Sequence, residues 1–304
     1  MRHPLVVRLG IAAAGVLLLA SGCGAPAGVD GDLTDDWAAI AEPTGFTPEA
    51  ATCHLATFAT VGPRSAYEEV DCRLRHRTET VYVGVYPSPA ADADTPPSDG
   101  SAASRQAYRT CDAKTTEYVG APWHLGRLWI GVTHPSPAAW TGGARWFRCE
   151  VMELSSVEDD GGLVQRIGSL HDRLAGARSA LRLSCYAIEL TDSKGIAGMP
   201  AASCSAKHNA EFAGVADARD KPYPTDDDQW AALHDLCRTV IATFVDVPDD
   251  ADLQYRTGVI SLPGGEDVWA LGDHTLRCYL WTDSTDLTVS LKGKGTKALP
   301  ILYR

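Results

Sequence analysis

The sequence predicts an α+β fold of two tandem, disulfide-stapled modules, each a small antiparallel sheet packed by a helix. Three observations carry this. Eight cysteines downstream of Cys23 fall into two sets of four at closely matching spacings. The residues around them repeat. Each set encloses one stretch of strand-like alternation and one of helical periodicity.

The chain opens with the layout of a secretory signal peptide over residues 1–22. Arg2 and Arg8 are positive, Leu9 to Leu19 is apolar, and Ala20-Ser21-Gly22 is small. The apolar run is shorter than the roughly 20 residues a transmembrane helix needs. Leu19-Ala20-Ser21-Gly22-Cys23 resembles the lipobox of bacterial lipoproteins, with Ala20 where Leu is commonest. That resemblance implies cleavage before Cys23 and lipidation of its thiol. Residues 23–44 begin small, polar and rich in Gly and Pro, and read as a flexible tether. The expected place is the outer face of the cell membrane, with the membrane a partner through the lipid.

With 304 residues, 45% hydrophobic and 22% charged, the chain is long enough for one large or two small globular domains. The formal net charge of -12 becomes -14 once Arg2 and Arg8 leave with the signal peptide. An acidic surface disfavours nucleic acid as a partner.

Cys53 to Cys72 spans 19 positions, as does Cys185 to Cys204. Cys72 to Cys111 spans 39 against 33 for Cys204 to Cys237, and Cys111 to Cys149 spans 38 against 41 for Cys237 to Cys278. Both copies read Cys-x3-His-x2-Glu, at Cys72, His76, Glu79 and at Cys204, His208, Glu211. Both end in Trp-x2-Gly-x4-Arg-Cys, from Trp140 to Cys149 and from Trp269 to Cys278. The expected organisation is repeat 1 over 45–157, a linker helix over 158–181 and repeat 2 over 182–304.

Within repeat 1, Thr78 to Tyr86 alternates, with Val81, Val83 and Val85 on one face and Tyr82 and Tyr86 on the other. Its counterpart is the shorter Glu211 to Val215. Polar loops follow, over 87–100 and 217–228. Each leads to a helix, with Ala107, Tyr108, Cys111, Thr115 and Tyr118 on one face, and Trp230, Leu233, Cys237, Val240, Ile241 and Phe244 on the other copy's. The last strands are Arg145–Leu154 and Thr275–Thr282. Between the copies, Leu163, Ile167, Leu170, Leu174 and Leu181 recur at helical spacing.

An even number of cysteines in an exported chain implies disulfides. Four cysteines allow three pairings per copy. The helix cysteine lies on the apolar face and points at the sheet, which favours Cys111–Cys149 and Cys237–Cys278, leaving Cys53–Cys72 and Cys185–Cys204. Each bond would add about 3–4 kcal/mol by constraining the unfolded chain.

Taken together, Cys-x3-His-x2-Glu, the helix with its central Cys, Trp-x2-Gly-x4-Arg-Cys and the tail Leu287 to Gly293 resemble the septum-formation domain of actinobacterial envelope proteins. Leu74-Arg75 and Ala206-Lys207 depart from the family's commoner Pro before His. The resemblance implies an extracytoplasmic, membrane-associated protein linked to the division septum, and carries over no catalytic residues.

His76 and His208 are candidate metal ligands with Glu79 and Glu211. In a continuous strand, however, positions i and i+3 point to opposite faces, and a structural His bonded to backbone is the alternative; no metal and no cofactor is expected. Trp140 and Trp269 fit a core role. Trp123, Trp129 and Trp146 occur in repeat 1 only and, with His76 and His208, make a candidate binding surface. Asp92, Asp94 and Asp99, like Asp226-Asp227-Asp228, fit solvated loops without calcium-loop spacing.

No Gly-x-Ser-x-Gly, His-Glu-x2-His, phosphate loop or Gly-x-Gly-x2-Gly is present. The expectation is a non-enzymatic binding or scaffold lipoprotein whose partners are division or cell-wall proteins. The alternatives are a peptidoglycan hydrolase, which needs acidic or His residues converging in a cleft, and a small-ligand or metal-binding lipoprotein.

Overall fold

The computed structural model describes residues 46–62, 67–159, 161–193 and 195–302. The signal peptide, Cys23 and the tether lie outside them. Among the described residues no helix is long and apolar enough to cross a membrane. Residues 45–304 group as one compact unit.

The elements mix helix with antiparallel sheet. β1 (Thr52–His54), β2 (Glu69–Val70), β4 (Thr78–Val85), β5 (Leu128–Thr133) and β6 (Trp146–Glu153) form one five-stranded sheet in the order β2-β1-β4-β6-β5. β8 (Cys185–Tyr186), β11 (Ala201–Ala202), β12 (Ala210–Asp217), β13 (Gly258–Pro263) and β14 (Thr275–Trp281) form a second in the order β11-β8-β12-β14-β13. Position by position, the two orders correspond. Two further two-stranded ladders were not expected: β3 (Arg75–His76) with β7 (Arg166–Ile167), and β9 (Glu189–Leu190) with β10 (Ile196–Gly198).

Strict alternation fails in the long strands for a local reason. β4 slips register against β6 between Thr80 and Tyr82, and β12 slips against β14 between Phe212 and Gly214. An extra residue at such a bulge breaks the two-residue period. Val81 and Tyr82 therefore both pack on the first core, and Val85 ends 68% exposed.

Each large sheet carries one long helix. α1 (Ala102–Val119) starts at Ser101, whose hydroxyl accepts from the Ser104 N–H, and stops at Gly120 in the left-handed region at φ 84°. It buries Ala107, Tyr108, Cys111, Thr115 and Val119. The short α2 (Pro137–Thr141) carries Trp140, fully buried in the same core. α3 (Asp227–Val245) starts at Asp226, which accepts from the Gln229 N–H. Asp227 and Asp228 occupy its first turn, where negative charge suits the helix dipole. This acidic triplet thus begins the helix instead of forming a loop. α4 (Glu266–Leu271) carries the buried Trp269.

Four disulfides tie the elements: Cys53–Cys72, Cys111–Cys149, Cys185–Cys204 and Cys237–Cys278. In each half one bond crosses from helix to last strand and the other closes the sheet's opening loop.

No helix occupies the described part of 158–181. That segment holds β7 and a series of turns, with Gly168 at φ 82° and Asp172 at φ 56°. Gly161, Gly162, Gly168 and Gly176 interrupt any helical run. Its leucines still dock: Leu170, Leu174 and Leu181 belong to the first core, while Ile167 is 60% exposed.

Candidate functional site

The two His–Glu pairs converge, contrary to the expectation for a continuous strand. β3 ends at His76 and β4 starts at Thr78, so the break at Arg77 turns both side chains inward. His76 Nε2 lies 2.9 Å from Glu79 Oε1 and its Nδ1 lies 2.9 Å from the Leu74 carbonyl. Both side chains are buried. Burial opposes charge on His76, but the bonds to Glu79 and Leu74 outweigh it and raise its pKa. Burial likewise opposes the Glu79 carboxylate, and donors from His76, the Leu170 N–H and Ser169 bring its pKa below the usual range. Glu79 also accepts from the Tyr118 hydroxyl at 3.0 Å. It thereby pins the returning Ser169-Leu170 segment onto the end of α1, where the Asp172 and Leu174 N–H groups meet the Tyr118 and Val119 carbonyls.

The second half repeats the device. Glu211 accepts from the Ser290 hydroxyl and the Leu291 N–H, with His208 Nε2 at 3.4 Å. The Gly293 and Gly295 N–H groups then meet the Phe244 and Val245 carbonyls at the end of α3. The Ser-Leu pairs at 169–170 and 290–291 are a repeat that sequence reading missed. Their signal is the shared dipeptide downstream of each last strand, at differing distances from it.

As an exposed binding surface, the residues singled out from sequence do not hold. His76 and His208 are buried beside their glutamates, not exposed. Trp146 is 4% exposed; its indole N–H donates to the Phe46 carbonyl, and Tyr67 packs edge-on against it. Trp123 is 3% exposed and donates to Asp112 at 2.6 Å. Buried indoles need such partners. Trp129 is half-buried, with Phe58 against its ring.

Trp123 and Trp129 nevertheless share a place. They line a cleft of about 550 Å3 between the two sheets, together with Glu158, Tyr223, Asp273 and Arg277. Trp146, His76 and His208 do not line it. Within its lining, Asp273 joins the halves. Its carboxylate lies 2.9 Å from His124 Nε2 and accepts from the Tyr108 hydroxyl at 3.1 Å. Burial pushes the Asp273 carboxyl up, but the His124 and Thr275 hydrogen bonds carry its pKa below the ordinary value. Arg277 donates to the His124 carbonyl at 3.1 Å and sits 5.6 Å from the Trp123 ring centre, within cation–π range. Glu158 accepts from the Tyr279 hydroxyl at 2.6 Å.

Arg148 holds the matching place in the first half but turns to its own sheet. It ion-pairs with the buried Glu150 and lies 4.8 Å from the Tyr67 ring. Thr80 links Glu150 to His54 through bonds of 3.0 and 3.1 Å. Burial raises the Glu150 pKa. The same motif arginine thus closes one half internally and couples the other half to its neighbour.

The cleft offers aromatic faces, an ionised carboxylate and a fixed guanidinium, a set suited to holding a polar ligand or a partner's side chain. No curated protein and no solved structure matches the chain. Comparison with protein families matches residues 50–278 in a single span to the family described as septum formation. That span reads through both cysteine sets, the twin His–Glu pairs and the cleft, and covers well over half of the chain, which therefore belongs to the septum formation family.

Proposed function

We propose that this protein is a non-catalytic, extracytoplasmic binding or scaffold protein of the cell envelope that acts in septum formation and holds its partner at the cleft between its two halves. The observation that carries the reading is the family match over residues 50–278. Lipidation at Cys23 would keep the folded part at the membrane's outer face, where four disulfides suit an oxidising surrounding. The repeated cysteine spacing and the corresponding strand orders support descent from one duplicated module.

A binding role fits the state of the cleft. Asp273 is engaged by His124, Tyr108 and Thr275, which fixes the shape of the cleft and suits binding more than proton donation to a substrate. Trp129 supplies a half-buried aromatic face in the same cleft.

The test pairs location with capture. A fluorescent fusion of the full chain should concentrate at division sites. In-cell crosslinking should recover division or wall-synthesis proteins, and Trp129→Ala, checked for folding by its melting curve, should lose that capture. Uniform envelope labelling would count against the septal role. Recovery of wall glycan or a transporter would favour a hydrolase or a ligand-binding lipoprotein instead.

A further inference from the structure

We infer that the second half carries a latent metal site, closed by the Cys185–Cys204 disulfide and opened by its reduction. The ligands are the Cys185 and Cys204 thiolates, His208 Nε2 and the Glu211 carboxylate, and the cation is divalent and thiophilic, of the zinc class.

Three observations point there. Ligand atoms of Cys185, His208 and Glu211 lie within 4.8 Å of one another, all buried, and Cys204 is bonded to Cys185. His208 Nδ1 faces the Ala206 carbonyl at 2.8 Å, which aims Nε2 at the cluster. A backbone acceptor on the far ring nitrogen is the usual support of a metal-bound imidazole. The 3.4 Å between His208 Nε2 and Glu211 Oε1 is long for a hydrogen bond. It matches the roughly 3.3 Å between two ligands held about 2.0 Å from one tetrahedral zinc.

The first half has the same three ligand types within the same reach, yet it is occupied differently. Arg166 Nε sits 3.6 Å from Glu79 Oε1, and Tyr118 and Ser169 donate to the other oxygen. A fixed cation there repels a metal ion. In the second half Leu287 pairs with His208 where Arg166 pairs with His76. Cys185, Cys204, Glu211 and Ser290 line an open cavity of about 1470 Å3, and Cys204, half-buried as Cys72 is, lies within reach of a small reductant.

The chemistry balances. A dithiol reduces the disulfide by exchange, becoming a disulfide itself and leaving two cysteine thiols. Binding one divalent cation then releases those two thiol protons and the proton on His208 Nε2 where it carries one.

The test uses the full folded chain, treated with a water-soluble phosphine and titrated with cobalt(II). Cys111, Cys149, Cys237 and Cys278 are fully buried and should stay oxidised. One equivalent should give a thiolate-to-cobalt charge-transfer band that the unreduced protein lacks. The C53S/C72S double variant should keep the band, and C185S/C204S should lose it. H208Q and E211Q should each weaken binding at least tenfold, and H76Q should not. Zinc should raise the melting temperature of the reduced protein. A band that survives C185S/C204S, or is indifferent to both H208Q and E211Q, would overturn the site, the latter showing thiols binding metal in a loosened chain. A reduced protein that gives no band and no melting shift would overturn it as well.

Discussion

His124 and Asp273 stand 149 positions apart in the chain and meet at 2.9 Å, both nearly buried, in the lining of the cleft. With Tyr108–Asp273, Arg277–His124 and Tyr279–Glu158, the contact ties the two large sheets' segments together. Asp273→Asn should lower unfolding free energy by about 2 kcal/mol, as expected when a buried carboxylate that accepts from His124, Tyr108 and Thr275 is removed. Its acid limb should change as well. A carboxyl whose folded pKa is depressed contributes stability that is present above its unfolded pKa, about 4, and is lost as pH falls through the folded value. Urea titrations at pH 7 and pH 3 should therefore show the variant's deficit shrinking in acid; a constant deficit would refute the ionised state.

His54 gives a different pH signature. Burial, with Arg148 adding to it, holds the imidazole at about 4. An unfolded histidine titrates near about 6.5. The His54 contribution is therefore complete above that pH and drains away between there and about 4, by up to about 3 kcal/mol. Glu150, its neighbour through Thr80, acts in the opposite sense, because burial raises its carboxyl. Comparing wild type with His54→Gln isolates the histidine. The stability gap between them should narrow as pH falls from 7 to 4.5, and a gap that widens would exclude a neutral buried His54.

Glu79 and Glu211 do the same job with unequal support. Glu79 accepts from His76, Tyr118, Ser169 and the Leu170 N–H, with Arg166 close by; Glu211 accepts from Ser290 and the Leu291 N–H, with His208 farther off. Glu79→Gln should cost about 3 kcal/mol and Glu211→Gln about half of that. Chemical denaturation at pH 7 reads the difference directly, and equal costs would refute the ranking.

The helix-to-strand disulfides should matter most to the unfolded chain. Replacing Cys111 and Cys149 together by alanine opens a loop of 38 positions and should cost about 4 kcal/mol. The measurement is the unfolding free energy extrapolated from urea titration, with a steeper slope in the variant because its unfolded chain is less compact.

Sequence reading reached what is periodic or covalent. Cys111 and Cys237 announce cross-linking by sitting on apolar helix faces, and Trp140 and Trp269 announce burial by their size. It failed where tertiary contacts override local pattern. Leu170 and Leu174 have helical spacing, yet glycines and a left-handed Asp172 lay them into the first core as turns. Trp123 and Trp146 looked available because only one copy has them, yet Asp112 and the Phe46 carbonyl satisfy their N–H groups indoors. The His–Glu objection failed because the strand breaks at Arg77. The cleft was beyond reach, since His124 and Asp273 belong to segments that no local periodicity connects.

The Cys53–Cys72 bond also has a mechanical consequence. A pull applied to the chain ahead of residue 46 arrives first at β1, which lies between β2 and β4. Without the bond, β1 would peel from β4 one rung at a time. With it, tension entering at Cys53 passes covalently to Cys72 and on toward β4, whose full length is paired to β6. The load then has to shear a long ladder instead of unzipping a short one. Were the chain held by its leading end, as lipidation at Cys23 would hold it, the bond would keep it from being drawn out strand by strand.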